Sequence, residues 1–140
     1  MRMRVLTQTN QGKMLTIAKH VSKLIQADKD VDSIMPDYPC DGERLVVIVV
    51  KAKASMPDSF SRFVRSLKRS VAANVAFIID GNEKTATPII EMAKTNDANV
   101  MDDKILYVKG GLPFAFMNKV EPELMDKVTA WVEDILKNLA

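Results

Sequence analysis

The sequence predicts a three-layer α/β fold: a five-stranded parallel sheet in the order 2-1-3-4-5 with helices on both faces. Three observations predict it. Strand-like and helix-like segments alternate along the whole chain. Leu45–Val50 and Val75–Ile79 are continuous apolar runs without polar alternation, the pattern of strands covered on both faces. The first strand leads straight into a short polar loop with one glycine and then an amphipathic helix, which sets a helix N-terminus behind the end of a central strand.

The elements follow in order. Arg2–Thr7 reads as the first strand. Gly12–Ala27 reads as a helix with an apolar stripe at Met14, Ile17, Ala18, Val21, Leu24 and Ile25. Val31–Met35 is a short second strand stopped by Pro36, and its Asp32 and Ser33 suit a sheet edge. Pro36–Glu43 has two prolines, an aspartate and a glycine, and reads as a loop. Leu45–Val50 is the third strand. Pro57–Val71 is expected to be the second helix, its stripe Phe60, Phe63, Val64, Leu67 and Val71, with Arg62, Arg65, Lys68 and Arg69 off the stripe. Val75–Ile79 is the fourth strand, closed by Asp80-Gly81-Asn82. A third helix is expected from about Thr87 to Thr95, with Pro88 near its start. Lys104–Val108 is the expected fifth strand, closed by Gly110-Gly111. The last helix runs from about Glu121 to Leu139, and Trp131 falls on its buried stripe.

Composition bounds the function. A chain of 140 residues, 47% hydrophobic and 27% charged, fits a single domain, 1–140, with a core of its own. The net charge of +2 is no nucleic-acid signature, and the basic side of the second helix has no interleaved aromatics, so no nucleic-acid partner is expected. One cysteine and one histidine argue against an internal disulfide and a zinc centre. No apolar run is long enough for a membrane span, and no long apolar segment follows Met1-Arg2-Met3-Arg4, so a cytoplasmic protein is expected.

In this sheet order ligands bind at the carboxyl ends of the strands, where strands one and three diverge. Thr7–Lys13, Lys51–Pro57 and Asp80–Thr85 meet there. Thr7, Gln8, Thr9, Asn10, Gln11, Gly12 and Lys13 offer hydroxyl, amide and backbone donors at the positive end of a helix, which suits a phosphate. The same loop also serves as a plain helix-capping connection, and both readings stay open. Asp80 could accept a hydrogen bond from a ligand or cap its own turn. Lys13, Lys51, Lys53 and Lys84 add positive charge, either as a site for an anion or as solvated surface.

Other chemistries fail on residue type. A phosphoacceptor domain needs an acidic pair after strand one and an aspartate after strand three; Thr7-Gln8 and Val50-Lys51 stand there. Thiol-based phosphotransfer needs a cysteine after strand one, but Cys40 precedes strand three. Gly12-Lys13-Met14 lacks the first glycine and the hydroxyl of a Walker loop. His20 reads as a surface or boundary residue. Phe114–Met117 reads as a loop that folds over the sheet or forms a partner surface.

The strand before Thr9, then Thr9, Gly12 and Ala18, resemble the phosphate-loop fingerprint of flavodoxin-like proteins. Leu45–Val50 followed by Ser55-Met56-Pro57 and Phe63-Val64 is similar to that family's third strand, flavin loop and helix. Tyr107-Val108-Lys109-Gly110-Gly111-Leu112 resembles the short flavodoxin-domain group, which includes flavodoxin-like protoporphyrinogen oxidases. The resemblance spans nearly the whole chain. It implies non-covalent FMN, with Thr7, Thr9, Asn10, Gln11 and Gly12 on the phosphate, and Lys51, Ala52 and Lys53 with Asp80, Gly81 and Asn82 around the ring. It also implies electron transfer with a redox partner protein. The sequence departs from the family in two places. Met14 replaces a threonine that would bind phosphate, a loss of about 1 kcal/mol. Lys51-Ala52-Lys53 has no aromatic to stack on the flavin. These departures fit a flavin-free interaction module that kept the fold. A small FMN-dependent oxidoreductase is a third possibility.

Overall fold

The computed structural model describes residues 2–8, 12–27, 30–34, 40–109 and 121–140. Its elements are β1 (Met3–Thr7), α1 (Gly12–Leu24), β2 (Asp32–Ser33), β3 (Glu43–Lys51), α2 (Asp58–Arg65), β4 (Ala72–Asp80), α3 (Glu83–Ala93), β5 (Asn99–Val100), a 3-10 turn (Asp102–Lys104), β6 (Leu106–Val108) and α4 (Pro122–Lys137). The strands pair in the order β2-β1-β3-β4-β5, with β6 also on β4, and every pairing is parallel. The expected 2-1-3-4-5 sheet is therefore present, with its last strand in two pieces.

Why Leu45–Val50 of β3 and Val75–Ile79 of β4 are unbroken apolar runs is visible in the layers. Successive residues of a strand point to opposite faces. Leu45, Val47, Val49, Ala76 and Ile78 pack toward α1 and α4. Val46, Ile48, Val50, Val75, Phe77 and Ile79 pack toward α2 and α3. Both faces of these two segments are covered by helices, so a polar residue without a partner would be costly there; each large aliphatic side chain buried here contributes roughly 2 kcal/mol.

The fifth strand departs from the expected Lys104–Val108. β5 pairs Asn99 and Val100 with Asn74 and Val75, and β6 pairs Leu106–Val108 with Ile78–Asp80. Between them, Met101 donates its N–H to Val75 O at 2.9 Å and buries its side chain. The 3-10 turn that follows is pinned to α4: Trp131 Nε1 donates to Lys104 O, and Lys104 Nζ lies 3.0 Å from Asp134. Trp131 is core, as its spacing implies, but its indole N–H also fixes the sheet edge.

Three helix ends differ from expectation for local reasons. α1 stops at Leu24 because Gln26 takes a φ of +52°; Ala27 N donates to Ser22 O and Gln26 N to Lys23 O, a Schellman closure. α2 stops at Arg65, well before Val71. The Ser66 hydroxyl turns back on Phe63 O, Lys68 O accepts from both Val71 N and Ala72 N, and Arg69 N is taken by Asp97. α3 begins at Glu83, four residues before the expected Thr87. Asn82 accepts from Thr85 N, and Thr85 Oγ1 accepts from Asn82 N: a capping box. Pro88 consequently lies inside the helix.

His20 joins α1 to α4. Thr129 Oγ1 lies 2.9 Å from both Met125 O and His20 Nε2, tying the imidazole to α4. Met35–Pro39 and the expected Phe114–Met117 segment lie outside the described residues, as do Gly110 and Gly111.

Candidate functional site

β1, β3, β4 and β6 end on one side of the molecule. Thr7 pairs with Val49, Lys51 with Asp80, and Asp80 with Val108. In an alternating α/β chain the helices return antiparallel to the strands, so the N-termini of α1, α2 and α3 face the same side.

Thr7 closes β1 and is almost fully buried; Gln8 after it is exposed. Thr9, Asn10 and Gln11 lie outside the described residues. Gly12 opens α1 with φ +83°, a backbone conformation that favours glycine. Lys13 is half-buried and Met14 is buried in the core between α1 and the sheet. Met14 thus supplies packing where a hydroxyl would have supplied a donor. Thr16 Oγ1, one turn on, donates to Gly12 O at 3.2 Å. Among the described residues, the polar capacity at the start of α1 resides in its backbone N–H groups and the positive end of its dipole, features that suit an anion.

On the β3 side Lys51 and Lys53 are exposed and Ala52 is half-buried. Ala52 N donates to Asp80 O at 3.0 Å, extending the ladder one residue past the strands. Lys53 N–H approaches Met56 Sδ at 3.4 Å and closes the loop on itself. On the β4 side Asp80 is half-buried, and Gly81 and Asn82 are exposed. Gly81 has φ +157°, and a Cβ there would lie 2.5 Å from Thr85 Oγ1 and 3.3 Å from Ala52 Cβ. The glycine thus makes room for the capping box and brings the two connections together. Asn82, not Asp80, caps α3. The structure brings Ala52, Asp80 and Gly81 into contact, with Lys51 beside Asp80 in the ladder, and places Thr7 and Gly12 at the ends of β1 and α1.

Lys13, Lys51, Lys53 and Lys84 form no salt bridge among the described residues. Met56 and Thr85 also shape the site; the sequence places both in the connections that meet here, without singling out either as a site residue. The Asn82-x-x-Thr85 spacing was a readable signal for one of them; nothing in the sequence marks Met56 as a loop closure.

A groove of about 420 Å³ lies elsewhere, between α3 and the divided edge strand, lined by Glu83, Ala86, Ile90, Asp102, Ile105 and Tyr107 among others. Partial desolvation there, with the Glu83 carboxylate nearby, raises the Tyr107 phenol, although the residue stays exposed. Cys40 lies at the opposite end of the sheet, near the start of β3. It is buried, and burial raises its thiol, opposed by the Arg4 guanidinium. The described residues hold no cluster of three His, Cys, Asp or Glu side chains that could bind a metal. No described helix is long and apolar enough to cross a membrane.

No family model matches the sequence, and no curated protein matches it. Among solved structures the chain is similar to a flavodoxin from the domain Archaea. The match has a TM-score of 0.52 and 12% sequence identity, and covers 98% of this chain and 97% of that one. The chain has a flavodoxin-like fold.

Proposed function

We propose that this protein binds FMN non-covalently at the carboxyl ends of β1, β3 and β4 and takes part in electron transfer. The observation that carries the reading is Gly12: a positive-φ glycine opens α1 directly behind β1, where the sheet order reverses. That is where a phosphate meets unpaired backbone N–H groups. The likeness to a solved flavodoxin along nearly the full length supports the same placement.

Thr7, Thr9, Asn10, Gln11 and Gly12 are the residues assigned to the phosphate, with Gln8 and Lys13 beside them. Backbone from Lys51 to Ser55 and from Asp80 to Asn82 frames the ring. The flavin itself supplies one- and two-electron redox chemistry when bound. The chain's own part is to hold the phosphate, set the ring against Ala52 and Gly81, and surround both with lysine charge. A redox partner protein and a cytoplasmic setting belong to this reading.

Two observations favour a second reading, a flavin-free interaction module. Met14 is built into the core, and the β3 and β4 connections carry no aromatic side chain. Equilibrium dialysis with FMN separates the two. Saturable retention in the micromolar range, abolished by Gly12→Val in a variant with an unchanged far-UV spectrum, supports the redox reading. Absence of retention leaves the interaction module.

A further inference from the structure

The groove between α3 and the divided edge strand has two walls that run in opposite directions. Glu83, Ala86, Ile90 and Lys94 line it from α3 at intervals of three and four residues, so they form one stripe along the helix. Asp102, Asp103, Ile105 and Tyr107 line it from the other side. Contacts across the groove set its two ends. Lys94 pairs with Asp102 where α3 finishes. The Glu83 carboxylate acts on the Tyr107 phenol where α3 starts.

The chemistry changes along its length. The middle of the floor is apolar: Ala86 and Ile90 are buried and Ile105 is half-buried. Acids stand at both ends, Glu83 at one and Asp102 with Asp103 at the other, and Glu91 is on the rim. The base in this lining, Lys94, is already paired with Asp102. Glu83, Glu91 and Asp103 take part in no salt bridge among the described residues. The groove is therefore negative on a chain whose net charge is +2. Tyr107, 39% exposed, adds an aromatic ring at the Glu83 end, where a cation gains further attraction.

Length narrows the occupant. Eleven helical steps from Glu83 to Lys94 span about 16 Å, which an extended chain covers in about five residues. In such a chain the first, third and fifth side chains point to the same side. We propose that this groove docks an extended segment of a partner protein that carries lysine or arginine at its first and fifth positions and an apolar residue at its third. The apolar side chain lies on Ala86, Ile90 and Ile105. One cation meets Glu83 and Tyr107, and the other meets Asp102 and Asp103. Opposite charge brings the segment in, and the apolar floor sets its register. This docking is independent of what the ends of β1, β3 and β4 bind.

The test is an NMR titration of the full chain, following backbone amides, with the capped peptide Lys-Ser-Leu-Ser-Lys. Two further probes are Leu-Lys-Ser-Lys-Ser, of the same composition and charge, and spermidine. Saturable shifts should be confined to α3 and residues 102–108, with a Kd below about 1 mM. The rearranged peptide should bind at least about fivefold more weakly. Glu83→Gln with Asp103→Asn should weaken the first peptide by about tenfold. Both acids are exposed, so the far-UV spectrum should not change. Four results overturn the proposal: no saturation at millimolar peptide, shifts centred elsewhere, a doubly substituted protein that binds like its parent, or equal binding of the rearranged peptide. Spermidine producing the same shifts at the same concentration also overturns it, because the groove would then be a general cation surface.

Discussion

The two ends of the sheet are built on opposite plans. At the end where the strands begin, polar groups are buried and mostly answered by other polar groups, although Glu43 Oε2 has no hydrogen-bond partner among the described residues. Arg4, 1% exposed, reaches Asp32 at 3.1 Å and Cys40 Sγ at 3.8 Å. Glu43, equally buried, receives Arg2 at 3.1 Å. Asn74 on β4 is a hub: its amide donates to Arg44 O and accepts from Asn99 Nδ2 and Ala140 N. At the end where the strands finish, Lys51, Lys53 and Lys84 stand exposed without salt bridges among the described residues. A buried polar group left without a partner costs free energy, so the first end is committed to stability.

The largest effect that can sharpen this contrast is at Arg4. Arg4→Ala removes the buried member of an ion pair whose Asp32 is part-exposed, and should cost about 2 kcal/mol in denaturant unfolding. Any FMN affinity of the remaining folded protein should be unchanged. A loss of less than about 1 kcal/mol would show that the first end is not the more committed one. Gly81→Ala comes next, on the opposite end. Its Cβ meets the Thr85 hydroxyl, so the capping box must open, at a cost of about 1–2 kcal/mol read as lowered thermal stability.

A third effect is in pH. Burial holds the Cys40 thiol above its ordinary 9.0. The unfolded chain therefore ionises first as pH rises. The stability contributed by keeping this thiol neutral is complete below pH 9 and is lost between there and the raised folded value. Cys40→Ala should flatten the decline in unfolding free energy above pH 9 relative to the parent. An identical alkaline slope in both proteins would contradict the burial of this group.

The smallest effect is expected from Lys51→Gln, Lys53→Gln and Lys84→Gln combined. With no salt bridges to lose, stability should stay within about 0.5 kcal/mol of the parent. The affinity for FMN should fall and become less sensitive to salt. A large loss of stability would mean that these lysines belong to the scaffold.

Much of the fold was legible because Leu45–Val50 and Val75–Ile79 can only be strands covered on both sides. What escaped was set by contacts far along the chain. The divided edge strand depends on Trp131 and Asp134 holding Lys104, across 27 and 30 residues. The early end of α2 depends on Asp97, 28 residues beyond Arg69. Helix periodicity continues through Leu67 and Val71, because both still bury apolar surface after the helix has ended. The start of α3 was legible in principle, since a capping box is local; Pro88 drew the boundary too late.

By itself the sequence determined the alternation of strands and helices, the central place of β3 and β4, and a polar, glycine-bearing connection after β1. These follow from hydrophobic periodicity and turn chemistry, which act over a few residues. Only the tertiary structure decided that Arg4 is buried against Asp32 and Cys40, and that Gly81 yields its space to Thr85. Those outcomes depend on which atoms meet across the packed layers, and spacing along a chain does not encode that directly.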